Sequence, residues 1–209
     1  MKNTRQSIIT SAAEILLIAL WMAAVPFIVR IDFTTTGQGP AEWSLTELLQ
    51  EGLLLLSALV FWRAAWNRPR SRACLVLMAG FLTTMLIREA DVFLDKISKG
   101  FWVYPAVIVA VVAIAYAVRN RVTLITPLAR YSSERFFTII MIGLLIVIVF
   151  SRLFGSSFLW EVVMGEIYHP DYKTVVQEGI ELMGYGLIFY GSLFFLVRID
   201  AVAAHETAP

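Results

Sequence analysis

Residues 8–29 carry a single charge, Glu14, in twenty-two positions, and five further runs of comparable length and apolarity follow. No other feature constrains the fold as strongly. A bilayer core is about 30 Å thick, and an α-helix crosses it in roughly 20 residues. Lipid offers no partner to a backbone N–H or C=O, so each run must satisfy its own hydrogen bonds, which an uninterrupted apolar run does as a helix. Composition agrees: 59% of the 209 residues are hydrophobic and 16% charged, against roughly 25% charged in soluble domains.

The expected fold is all-α: a polytopic membrane helix bundle, residues 1–209 forming one integral domain, with helices at about 8–29, 45–66, 73–92, 101–118, 135–154 and 175–197. The Lys2 to Arg5 start followed by an apolar run resembles a signal peptide. The run exceeds the usual 7–15-residue signal core of about that length, so a retained first helix is expected. Ser44-Leu-Thr-Glu47 and Thr174-Val-Val-Gln177 read as capping boxes opening the second and sixth helices. Pro105 sits in the first turn of the fourth helix, where a missing N–H matters least. Residues 30–43, 119–134 and 198–209 read as loop, linker and loose tail, and 157–168 as a short surface helix with Trp160 and Tyr168 at the lipid boundary.

Basic residues orient the bundle. With six spans, eleven of the seventeen Lys and Arg fall on the side of Arg5, Arg68, Arg70, Arg121 and Arg198, which makes that side and both termini cytoplasmic. Twelve of the sixteen Asp and Glu fall on the other side, so both asymmetries agree.

Those acids are not spread evenly. Glu47 and Glu51 share one face of the second helix, and Glu178, Glu181 and Tyr185 one face of the sixth, continued by Ser192. On the third, Thr84, Arg88, Asp91 and Asp95 form a stripe that leaves Glu89 turned aside. Glu51 and Glu181 each lie seven residues past an expected cap, which is ~10 Å of helix rise. Arg88 lies at a similar height, counted from the inner boundary. Charges in hydrocarbon are costly and turn inward to partners, so Arg88 is expected between Glu51 and Glu181, its fork donating to both. The candidate ligand-binding residues are thus Glu47, Glu51, Arg88, Glu89, Asp91, Asp95, Glu178, Glu181 and Tyr185. Carboxylates exceed bases there, which invites a cation. Oxygen ligands at Glu51, Asp91 and Glu181 would suit Mg²⁺, Ca²⁺ or Mn²⁺, with no cofactor required. For Glu47, Glu178 and Asp95, helix-end capping in water is the competing reading.

Glu14 is expected to pair with Arg5 or Arg63, or to stay protonated near Ser57 or Tyr116. His169 reads as a surface residue. Gly184, Gly186 and Gly191 would admit a close helix neighbour, and Trp62, Trp66, Trp102 and Tyr104 would anchor at the interface. Cys74 is the only cysteine, so neither an internal disulfide nor a CxxC site can form. P-loop, GxSxG and HExxH motifs are missing too. The cytoplasmic arginines suit anionic lipid rather than nucleic acid. The expected partners are the bilayer and a membrane protein.

The run Arg88-Glu89-x-Asp91-x3-Asp95, with Gly100-Phe101-Trp102-x-Tyr104-Pro105 and Gln177-Glu178-Gly-Ile-Glu181, resembles uncharacterised multi-pass inner-membrane proteins of bacteria. The likeness implies a bacterial inner-membrane location and brings no reaction with it. Alkaline ceramidase-like hydrolases are set aside, because their several histidines and extra helix are missing. Three functions stay open: a cation or polar-ligand site in a transporter or sensor component, an enzyme acting on lipid head groups at the periplasmic face, and an architectural accessory or assembly subunit.

Overall fold

The computed structural model describes residues 2–36 and 44–206, and every element among them is helical. In chain order these are α1 (Lys2–Thr36), α2 (Leu45–Asn67), α3 (Arg72–Glu89), the single turn α4 (Asp91–Leu94), α5 (Val103–Arg119) and α6 (Val122–Ser132). They are followed by α7 (Arg135–Leu145), α8 (Ser151–Phe154), α9 (Ser157–Met164) and α10 (Pro170–Glu206). A π-helical turn, Ile146–Phe150, joins α7 to α8 without a break.

Among the described residues, five segments are long and apolar enough to cross a membrane: Ile8–Thr34, Leu45–Asn67, Pro69–Glu89, Arg135–Phe154 and Pro170–Arg198. The expected fourth span is the 17-residue α5, which qualifies only together with α6, and the two are bent by 100°. Residues 119–134, expected as a linker, therefore contain a helix. It packs beneath the start of α3 and buries Pro127 and Tyr131.

Three other boundaries differ from expectation. α1 continues through residues 30–36, so that part of the expected loop is helical; residues 37–43 lie outside the described residues. α10 begins at Pro170 rather than near Thr174, whose hydroxyl donates to the Pro170 carbonyl inside the first turn. A proline at a first helical position already fits the backbone there, and it overrides the weaker Thr174 signal. α10 also extends to Glu206, through most of the expected tail; residues 207–209 lie outside the description.

The helices pack in the order α5, α3, α2, α10, α7, with α1 laid against α10 and α2. Inside, the seams are small or interdigitated: Leu54, Ala58, Leu75, Ala79, Val147 and Ile188 are buried. At the arginine-rich end Phe61, Tyr131, Phe136 and Phe195 close the core, with ring centroids 4.9–5.8 Å apart. Outside, the pattern is inverted from a soluble protein. Leu16, Phe27, Leu59, Val111, Ile142 and Val197 all face outward, an apolar surface compatible with a lipid environment.

Local chemistry fixes the ends of α2. Ser44 Oγ accepts the Glu47 N–H at 3.1 Å, as the capping box requires. The sequence reading missed the second cap. Asp32 reaches across from α1 and accepts the N–H groups of Leu45 and Thr46, both at 2.8 Å, as well as the Thr46 hydroxyl. At the other end the Arg72 guanidinium donates to the carbonyls of Ala65 and Trp66, which a helix C-terminus leaves unpaired.

Candidate functional site

At the end of the bundle that holds Ser44, the walls of α2, α3, α8 and α10 stand apart around a cavity of about 510 Å³. α2 contributes Glu47, Gln50 and Glu51; α3 and α4 contribute Arg88, Glu89 and Asp91. α8 adds Arg152, and α10 adds Lys173, Gln177, Glu178 and Glu181, with Trp102 from the turn before α5. Seven of the nine expected residues share this one space. Tyr185 lies at its floor, fully buried, and Asp95 is not in its lining.

The pairing inside the cavity differs from expectation. Arg88 does not bridge Glu51 and Glu181. It pairs with its neighbour Glu89, which also accepts the Tyr185 hydroxyl at 2.7 Å. Adjacent residues on a continuous helix point apart. Arg88 and Glu89 both lie in the last turn of α3, before Ala90 leaves the helical conformation at φ −82°, ψ 21°, and their side chains meet at the cavity. Beyond the break Asp91 still lines the cavity and Asp95 does not, and Glu89 faces inward rather than aside. Ala90 is neither Gly nor Pro, and we find no local signal that marks the stop.

Glu181 is held separately. Arg152 Nη2 lies 3.3 Å from its Oε1, and Ser151 Oγ and Gln177 Nε2 each lie 3.1 Å from the same oxygen. Its side chain is only 6% exposed. Because α10 starts at Pro170, Glu181 is eleven residues into its helix rather than seven past a cap. Its level is fixed instead by α2, since Gln50 Nε2 donates to the Glu178 carbonyl at 3.0 Å. Asp95 serves its own turn, its Oδ1 accepting the Gly100 N–H at 3.0 Å, where Gly100 takes φ +81°. That bond closes the loop between α4 and α5.

Charge is unbalanced around the cavity. Six carboxylates line it against three bases. Arg88 is committed to Glu89 and Arg152 to Glu181, while Lys173 Nζ donates to Ser157 Oγ at 2.8 Å. Among the described residues, Glu47, Glu51, Asp91 and Glu178 form no ion pair. Asp91, just beyond the end of α3, has its pKa raised chiefly by burial; the Val92 N–H opposes this, the negative charges of Asp95 and Glu89 add to it by less, and Arg88 lowers it slightly. Glu51, Asp91 and Glu181 occupy three different walls. Among the described residues no three His, Cys, Asp or Glu side chains are gathered as a metal site.

The sequence reading did not place Gln50, Lys173, Ser151, Gln177 or Trp102 at the site; it read Gln177 as a helix cap and Trp102 as an interface anchor. Gln50 and Gln177 were visible by helical spacing from Glu47 and Glu181; the others become neighbours only through the fold. Outside the cavity, Glu14 pairs with Arg135 Nη1 at 2.7 Å, not with Arg5 or Arg63. His169 is exposed and lies 3.1 Å from Asp171.

No family model, curated protein or solved structure matches the chain.

Proposed function

We propose that this chain is a six-span integral protein of a bacterial inner membrane whose periplasm-facing cavity binds a small organic cation. In this topology α5 is the fourth span and α6 turns along the cytoplasmic surface. Glu14 and Arg135 then share the cytoplasmic end, as do the termini and the arginine-rich turns. The single observation that carries the binding proposal is the set of four carboxylates, Glu47, Glu51, Asp91 and Glu178, that line one cavity without a cationic partner. A carboxylate removed from water either takes a proton or holds a positive partner. The cavity lies within the usual size range for small-molecule sites, roughly 300–1,000 Å³. Because its acids stand on separate walls, a ligand with several N–H donors and some length spans them better than a bare ion. Trp102 in the lining is an aromatic ring of the kind that attracts such a cation.

Thermal unfolding of the purified protein with spermidine tests the proposal, with NaCl at matched ionic strength as the control. A ligand that binds only the folded state raises the melting temperature with concentration. The expected result is a rise with spermidine beyond that with salt, lost in Glu51→Gln and Glu178→Gln. Equal rises with spermidine and salt, or an undiminished rise in both variants, would reject it.

A further inference from the structure

On the opposite face of α10 lies a second cavity, of about 720 Å³, between α1, α9 and α10. Its lining is apolar, with Val25 and Val29 from α1 and Val176, Gly179 and Ile180 from α10. It extends over residues 22–33 of α1 and 172–183 of α10. Eleven helical steps amount to ~16 Å, about half of the ~30 Å hydrocarbon core. The groove is thus one leaflet deep.

Its ends differ. The deep end is bounded by Met22 and Met183, while Arg30, Phe33, Trp160 and Tyr172 cluster toward the other. Arg30 is the one charged residue in the lining, it is exposed, and it forms no ion pair among the described residues. Trp and Tyr at that level mark the head-group boundary. The seam closes below the groove. A Cβ built on Gly179 would meet Val29 and Val25 at 3.6 and 3.8 Å, ordinary contact distances, whereas one on Gly186, deeper along α10, would overlap Trp21 of α1.

We infer that this groove is a binding site for one anionic phospholipid of the leaflet beside it, an acyl chain lying between α1 and α10 and the phosphate meeting Arg30. Leaflet depth accounts for the chain, and the uncompensated guanidinium for the head group. The site stands on the membrane setting but not on the ligand of the polar cavity, from which α10 separates it.

Native mass spectrometry of the delipidated full-length protein, titrated with phosphatidylglycerol and with phosphatidylcholine of the same chains, tests the inference. One phosphatidylglycerol should bind with about a fivefold preference, the worth of one basic residue at a membrane surface. Arg30→Gln should erase the preference while chain binding persists. Val176→Trp, which fills the groove, should remove the bound lipid of either kind. Equal binding of the two lipids by the native protein, an unchanged preference in Arg30→Gln, or a dimer that Val176→Trp converts to monomer would each overturn it.

Discussion

Tyr185 shows how one hydroxyl ties two helices at the floor of the cavity. Its ring is fully buried on α10, and its only polar atom donates to Glu89 on α3. Tyr185→Phe keeps the packing and deletes a bond to a charged acceptor, which should cost about 1.5–3 kcal/mol. Reversible unfolding in mixed micelles measures this, and a change under about 0.5 kcal/mol would mean that Arg88 alone satisfies Glu89. Asp91 makes a different prediction. Its folded pKa lies above its unfolded value, so its protonated form favours the fold and that contribution is lost as pH rises through the folded pKa. The melting temperature of Asp91→Asn should therefore gain on the native protein as pH rises from about 4, the unfolded pKa of Asp. A gap that stays constant with pH would show that burial does not act on this carboxylate. At this scale the sequence was informative about identity and poor about pairing. The acids that line the cavity were legible because charges stand out in apolar runs. Arg88 could not be matched to Glu89, since adjacent helical positions are expected to point apart.

Among the elements, α10 packs tightly on α7, and on α1 it is tight at Gly186, beside Trp21, but not at Gly179. A Cβ on Gly184 would lie 2.6 Å from Val147 Cγ2 and 3.0 Å from the Gly143 carbonyl, whereas one on Gly179 finds ordinary room beside α1. Gly184→Leu should lower stability by about 1–3 kcal/mol, as overpacking does; Gly179→Ala should be neutral within about 0.5 kcal/mol. Comparing the two in one unfolding assay decides the point, and equal effects would contradict the tight α7–α10 seam. Gly184 and Gly191 of this seam were legible as close-approach positions, Gly143 was not, and Gly186 meets Trp21 of α1 instead. α6 was not, because Pro127 and the flanking polar residues imitate a linker. Its Tyr131 finds a reason to be helical only when Phe136 and Phe195 arrive from α7 and α10. The Asp32 cap on α2 was hidden for a similar reason, as it lies in a segment that reads as loop.

For the molecule as a whole, apolar length alone made the membrane class legible, and the charge asymmetry supplied a topology to test. The acids on one side and the arginines on the other become, in three dimensions, a polar cavity at one end and an aromatic core capped by basic turns at the other. The proposal that the chain binds a cation requires that the cavity hold water and open away from the cytoplasm. Thiol labelling tests this most directly, since Cys74 is the only native cysteine and is buried. In a Cys74→Ala background, Glu51→Cys reports the cavity, and Arg70→Cys, exposed in the turn between α2 and α3, reports the other end. With a membrane-impermeant maleimide applied to intact cells, the expected result is labelling at position 51 and none at position 70 until the membrane is opened. Labelling at 70 but not 51 from outside, or no labelling at 51 from either side, would contradict it.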